Sequence, residues 1–337
     1  MPRPVRVLFV TNMWPDHERP WYGSFVHSQA RSLSDLGVDV DVLPIRGYAR
    51  KWEYLTAAGK MSKHNFEARY DVIHAHYGHS ALVARCDVRR PLVISYCGDD
   101  LLGTPSPAQP SRMTPGSRLL ARSFAQVARL ASATITKSEQ MMLELPARLR
   151  LRNHVIPNGV DLEMFKRIDQ AEARRRLGWD PSETVVLFVG NPAIARKNHA
   201  LAERAVQVAL ARCSSLRLRV AKGVAPDQIP IWMSAADVLV HPSWSEGSPN
   251  VVKEAMACEL PIVATPAGDV PERLRGVVGC HVLPGDDLAF ADALLDAVSH
   301  HPCAAARGAV GDLSLARVAQ RIVGVYESVT AVHRPPG

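Results

Sequence analysis

The feature that most constrains this chain is a series of short runs of consecutive apolar, largely β-branched residues, each parted from the next by a helix-length stretch. The first series is Val5 to Thr11, Val38 to Leu43, Val72 to His76, Leu92 to Tyr96, Ala133 to Thr136 and His154 to Ile156. The second is Val185 to Val189, Leu216 to Ala221, Val238 to His241, Ile262 to Thr265 and Cys280 to Leu283. A strand that is apolar at every position, not at every second one, is covered on both faces, which is the situation of parallel strands joined by crossover helices. The pattern predicts two successive α/β units. At 337 residues and 47% hydrophobic composition the chain is long enough for two cores and large for one. The turn-forming Pro157-Asn158-Gly159, followed by Val160-Asp161 and a charged helical stretch, places the boundary there, with units at 1–157 and 158–313. Parallel sheets bind ligands beyond their strands' carboxyl ends, so the expected site is a cleft between the C-terminal edges of the two sheets.

Composition removes several classes. No stretch approaches the roughly 18 uninterrupted apolar residues of a membrane span, and the first 20 residues turn polar too early for a secretory signal, so a cytoplasmic protein is expected. Six scattered cysteines, none in a CxxC pair, point to reduced thiols and to no zinc site. The net charge of +7 is uneven: residues 1–150 hold 20 Lys+Arg against 13 Asp+Glu, whereas the remainder holds 20 of each. A basic first half calls for an anionic partner, whether acidic substrate, membrane surface or nucleic acid. Residues 103–117, rich in Pro, Ser and Gly, read as a surface loop.

The sharpest motif runs from Ser245 to Cys258 (SEGSPNVVKEAMAC), after the strand ending near His241. Ser248 reads as an N-cap and Pro249 as the first helical residue, with Val251, Val252, Ala255 and Met256 as the buried stripe. Glu246 then lies in the loop and Glu254 on the helix. Helical side chains lean toward the N-terminus, so Glu254 can point back to the helix mouth, where Glu246 and the amides of Gly247 and Ser248 converge. Such a mouth binds phosphate, and a carboxylate binds a diol. A cap followed by an ordinary helical glutamate is the plainer alternative.

These residues resemble the signature of family-4 retaining glycosyltransferases, two glutamates with seven residues between them, on the two-Rossmann GT-B architecture. The flanking Ala236 to Ser243, Leu260 to Thr265 and Gly268, and the separate Val155 to Asp161 with Phe165, agree with that family. The resemblance implies a GT-B fold whose C-terminal helix, about 314–332, packs back on the first domain. It implies a nucleotide sugar held mainly by the second domain. Glu254 would bind the ribose hydroxyls, Glu246 would orient the sugar, and Gly247, Ser248 and Pro249 would line sugar and diphosphate. UDP is the family default, and the base would rest near Val224.

Other segments bear on the same chemistry. In Gly190 to Asn198 (GNPAIARKN) the family places an Arg and a Lys on the diphosphate. Lys197 matches, Asn191 stands at the usual Arg position, and Arg196 can supply the missing charge. A solvated Arg-Lys pair is the alternative. The P-loop pattern fails on spacing. Gly23, opening a helix from Phe25 to Leu36, is either a close-approach glycine beside diphosphate and acceptor or a plain turn. Cys97-Gly98-Asp99-Asp100 sits where the family often has His-Gly-x-Asp: Asp100 matches, and Cys97 replaces the histidine. His76 either faces the cleft or is a satisfied strand-end histidine. Asp39-Val40-Asp41 lies in an alternating strand and reads as solvent-facing, not as a metal motif.

The resemblance implies metal-independent, retaining transfer with no cofactor besides the donor. The departing phosphate takes the acceptor's proton, and Lys197, Arg196 and helix amides stabilise its charge. The acceptor would be anionic or lipid-linked, in polysaccharide or glycoconjugate synthesis. Residues 117–132 form an amphipathic helix whose Arg118, Arg122 and Arg129 fall within about 40°, with Leu119, Leu120, Phe124, Val127 and Leu130 opposite. That basic face is either solvated or a peripheral membrane or anionic-acceptor site. Two rival functions share these features, a nucleotide-sugar epimerase and a non-catalytic polyanion binder. Against nucleic acid stand the few aromatics and the lack of a recognition motif.

Overall fold

The computed structural model describes residues 3–19, 21–47, 50–64, 70–106 and 112–333. The part of the 103–117 loop at 107–111 lies outside them. The chain divides into two compact units. One comprises Met1–Gly103, Pro115–Gly159 and Leu315–Gly337, the other Thr104–Thr114 and Val160–Ser314.

The first unit is built on a six-stranded sheet: β1 (Arg6–Thr11), β2 (Asp39–Pro44), β3 (Val72–His76), β4 (Leu92–Ser95), β5 (Ala133–Thr136) and β6 (Asn153–Val155). Their spatial order is β2-β1-β3-β4-β5-β6, and every pairing is parallel. The second unit holds β7 (Thr184–Val189), β8 (Leu216–Ala221), β9 (Val238–His241), β10 (Ile262–Ala264) and β11 (His281–Val282), in the all-parallel order β11-β10-β9-β7-β8. Each expected run is therefore a strand, its ends displaced by at most one residue. Burial explains the consecutive apolar pattern: Val7, Phe9 and Val10 are fully buried, as are Val185, Val186 and Leu187, so both faces of β1 and β7 are covered. Each such side chain contributes about 1.5–3 kcal/mol of transfer free energy.

Chain order reverses between β1 and β3 in the first sheet and between β7 and β9 in the second. Connections leave in opposite directions at such a point, so loops after the paired strands flank a crevice at the carboxyl edge.

The basic helix departs from expectation. It spans Pro115–Val127 and continues as a 3-10 turn over Ala128–Leu130. Its buried face is Ala121, Phe124, Ala125 and Ala128, whereas Leu119, Leu120 and Leu130 are 67%, 47% and 43% exposed. An alanine stripe lets this helix approach closely. The Phe124 ring packs where a Cβ on Gly78 would lie, 2.5 Å from it, and this fit outcompetes burial of the leucines. In β2, Asp39 is exposed but Asp41 accepts a 2.8 Å hydrogen bond from the Tyr70 hydroxyl. Among the described residues no helix is long and apolar enough to cross a membrane.

Candidate functional site

At the switch point of the second sheet, the loops after β7 and β9 are joined through backbone, with the Trp244 amide donating to the Arg196 carbonyl at 2.9 Å. This register brings Glu246 between two cations. Lys197 Nζ lies 2.6 Å from Glu246 Oε1 and Arg196 Nη1 lies 2.6 Å from Oε2. Arg196 also donates to the Ser245 carbonyl. Burial pushes the Glu246 carboxyl up, but Lys197 and Arg196 together outweigh it and bring it to about 2. His241, at the end of β9, has Nε2 3.9 Å from Glu246 Oε1. Burial, with Lys197 beside it, lowers this imidazole to about 3, so it is neutral at pH 7. One carboxylate neutralises one of the two cations, and the loop keeps a positive excess suited to an anion.

The helix that follows spans Asn250–Ala257. Pro249, not Ser248, occupies its cap position, and no side chain caps it. Ser248 has a different task. Its hydroxyl donates to Asp269 Oδ2 at 2.9 Å and accepts from Lys253 Nζ at 3.0 Å. Lys253 is 1% exposed and Asp269 6%. The paired charges offset the cost of burying each and lock loop to helix. Val251 is only partly buried, and Lys253 takes the inward place beside Val252. Glu254 is pushed up to about 7 by burial, against the pull of Lys253 and Lys197. Gly247 is buried, and its carbonyl lies 2.4 Å from where a Cβ on Gly268 would sit, at a φ of +64°. Only a glycine admits that approach.

Two further second-unit positions lie on the loops after β7 and β8. Asn191 Oδ1 accepts from the Ala193 amide at 3.0 Å and so shapes its own turn. Val224 lies half-buried in the loop after β8.

In the first unit, Asp100 is 1% exposed, and its two oxygens accept from the amides of Gly78, Cys97 and Gly98 at 2.9–3.3 Å. Burial raises it to about 6 in spite of these bonds. It ties the loop after β4 to the start of the helix after β3. Cys97 Sγ reaches the Ser95 carbonyl at 3.6 Å, and burial pushes its thiol up. His76 does not reach the surface. Fully buried, it stacks on His74 at 4.3 Å and its Nε2 lies 3.3 Å from Gln29 Nε2. The end of β3 is covered on both faces, which fits the reading of His76 as a strand-end histidine held inside the unit. Gly23 precedes the helix Ser24–Ser34 at a φ of +70°, and a Cβ there would fall 2.2 Å from the Met13 carbonyl. Arg118 and Arg122 are exposed.

Sequence reasoning missed Lys253, Asp269 and His241, and also Lys137, which is 2% exposed after β5 with its ammonium pushed down by burial. Lys253 and Lys137 are lysines in apolar settings, a pattern that charge alone hides. Among the described residues no three His, Cys, Asp or Glu side chains group as metal ligands.

Comparison with known proteins bears on both halves. Residues 3–164 match the family model "Glycosyltransferase Family 4", and residues 172–300 match "Glycosyl transferases group 1". The chain is 30% identical over 278 residues to a D-inositol 3-phosphate glycosyltransferase of Mycobacterium sp. (strain JLS), covering 72% of this chain and 62% of that one. It thus spans about three fifths of that relative. A Bacillus subtilis glycosyltransferase named for teichuronic acid biosynthesis is 23% identical, over 79% of this chain and 82% of its own. Among solved structures, the sucrose-phosphate synthase of Thermosynechococcus elongatus superposes with a TM-score of 0.75 at 17% identity, over 98% of this chain and all of that one. The Anabaena protein HepE, solved with UDP and glucose, gives 0.69 at 19%, over 96% and 100%. With family models matching most of its length and this architecture in both sheets, the chain belongs to the group 1, family 4 glycosyltransferases of GT-B fold.

Proposed function

We propose that this chain transfers a sugar, with retention at the anomeric carbon and without a metal, from a nucleotide-diphosphate sugar to a hydroxyl acceptor. The observation that carries this is the Glu246 cluster: one carboxylate between Lys197 and Arg196, ahead of the helix that bears Glu254. Lys197 and Arg196 neutralise charge developing on the departing diphosphate, a role that a metal fills elsewhere. That phosphate accepts the acceptor's proton, so no side chain need act as base. Glu254 accepts from the ribose hydroxyls, and Glu246 orients the sugar. Asp100 orders the loop in which it sits. UDP is the favoured nucleotide, in keeping with the ligands named for HepE. An anionic acceptor, in polysaccharide or glycoconjugate assembly, is supported by the basic first half and by relatives named for inositol phosphate and teichuronic acid.

The test is nucleotide release from a panel of UDP-, GDP- and ADP-sugars, with and without candidate acceptors. Release that depends on acceptor supports transfer, and donor interconversion with no acceptor would point to epimerisation instead. Lys197→Met is expected to lower kcat by about a hundredfold, the usual effect of removing one transition-state charge donor, with a smaller change in donor KM. Glu254→Ala is expected to weaken donor binding roughly tenfold or more, as loss of a charged hydrogen-bond acceptor does. Unchanged nucleotide affinity in that variant would relocate the site.

A further inference from the structure

Two of the cysteines that look scattered along the sequence are brought together in the second unit. Cys280 stands just before β11 and Cys303 just before the helix Ala304–Ala309, on either side of the helix Asp287–Val298. Both are free thiols, Cys280 half-buried and Cys303 buried. The turn that carries Cys303 is pressed against the segment that carries Cys280 at successive residues. Cys303 Sγ donates to the Val278 carbonyl at 3.2 Å, and a Cβ on Gly279 would fall 2.4 Å from the Cβ of His300. At the next position the two thiols hydrogen-bond to each other. The pair is unequal. Cys280, which donates in that bond, holds its proton more tightly than an ordinary thiol, and burial adds to this. Cys303 is lowered instead, first by the bond from Cys280 and then by the Ala306 amide and nearby His300, which together outweigh its burial.

We infer that Cys280 and Cys303 form a peroxide-reactive dithiol that closes to a disulfide within the second unit. An inert structural thiol lies in apolar surroundings with nothing to hold its thiolate. Cys303 has a thiol, an amide and an imidazole around it. Its thiolate attacks one oxygen of hydrogen peroxide, the O–O bond breaks, and the other oxygen leaves as hydroxide, which takes up a proton to become water. The sulfenic acid so formed lies against Cys280, whose sulfur gives up its proton, attacks the Cys303 sulfur and expels the hydroxyl as a second water. Two thiols and one peroxide thus give one disulfide and two waters. Sulfurs already in hydrogen-bond contact have only to close to about 2 Å. The new bond clamps the start of β11 to a turn whose Cys303 amide donates to the Glu259 carbonyl at 2.7 Å, just beyond the helix Asn250–Ala257. No step requires a sugar donor or acceptor, so the inference is independent of which sugar is transferred.

Peptide mapping tests this on the intact protein. No Lys or Arg stands between the two cysteines, so trypsin releases both in one peptide, residues 276–307. Reduced protein is exposed to hydrogen peroxide, blocked with N-ethylmaleimide and digested. That peptide is expected to lose both alkylation sites and to be two hydrogens lighter than its reduced form, and dithiothreitol is expected to restore both sites. In Cys280→Ser the Cys303 sulfenic acid has no partner, so dimedone should capture it, whereas Cys303→Ser should leave Cys280 unlabelled. Each variant exchanges a sulfur for an oxygen, thermal melts check that it folds, and the mapping of the parent decides the matter if it does not. A peptide that stays doubly alkylated under peroxide, a link from either cysteine to a third one or to a second chain, or dimedone capture at Cys280 and not Cys303 would each overturn the proposal.

Discussion

Glu246 and Glu254 stand eight positions apart on one loop and helix, yet their surroundings drive their acidities in opposite directions. Glu246 is held at about 2 because two cations more than offset its burial; Glu254, buried with a weaker pull from Lys253 and Lys197, rises to about 7. The consequences for stability have opposite signs. A carboxyl raised in the folded state favours folding fully below its ordinary value near 4.5 and loses that contribution as pH climbs through about 7. For Glu254 the loss amounts to at most about 3 kcal/mol, so Glu254→Gln should melt several degrees above the parent at pH 8 and close to it at pH 4.5. Equal differences at both values would show that the carboxyl is not desolvated. Glu246, lowered instead, stabilises above 4.5 and loses its contribution as pH falls through about 2. A second readout tests the proposed ribose contact. If the ionised Glu254 accepts from the diol, nucleotide affinity falls as pH drops below about 7, and the Gln variant is flat over that range in a calorimetric titration.

The strands were legible because a run buried on both faces leaves a one-dimensional trace, and β1 and β7 show why: consecutive residues there have no polar face to display. The helix of residues 115–127 was not, since its packing follows the close approach of Phe124 to Gly78, with Ala121 and Ala125 on the same buried face, and not which side chains are most apolar. The glutamates of the loop and helix after β9 could be singled out by spacing, whereas Lys253 and Asp269 could not, because they meet through Ser248, which Asp269 reaches across 21 residues of chain. The same loop makes a structural demand at Gly268. Gly268→Ala would place a Cβ 2.4 Å from the Gly247 carbonyl at a φ of +64°, displacing the backbone that sets Glu246 between its cations. Gly276→Ala is the matched control: its φ is +74°, with nothing within 4 Å of the added carbon. Gly276→Ala should cost about 1 kcal/mol in left-handed strain, and Gly268→Ala more, because its Cβ also meets backbone, both measured by denaturant midpoint. Only Gly268→Ala should also lose donor affinity, and equal affinities in the two variants would refute a coupling between this glycine and the Glu246 loop.

The chain leaves the first unit after Gly159, builds most of the second, and returns as the helix Leu315–His333. That last helix is part of the first unit's core: Val318, Ala319, Ile322, Val325 and Tyr326 are buried, and it lies against the helix Ser24–Ser34. Its polar anchor is Tyr326, whose hydroxyl sits 2.6 Å from His74 Nδ1 in the middle of β3, while His74 Nε2 pairs with the Ser95 hydroxyl at 2.8 Å. Burial, aided by Lys137, holds the His74 imidazole well below its ordinary value, so it is neutral with both nitrogens engaged. The first 159 residues therefore lack the surface that covers one face of their own sheet, and they carry a buried imidazole whose partner lies at the far end of the sequence. A chain ending at Gly159 is expected to show no cooperative thermal transition, and a peptide of residues 315–333 added in trans should restore part of it. Within the intact protein, Tyr326→Phe keeps the packing and removes only the hydroxyl. It should cost about 1–3 kcal/mol, the range for leaving a buried polar atom unsatisfied, and most of that cost should vanish only when His74 and its other partner Ser95 are also replaced, by Phe and Ala, which leaves no orphaned polar atom. A cooperative melt from the 159-residue chain alone would show that the returning helix is an accessory and not a structural member of the first unit.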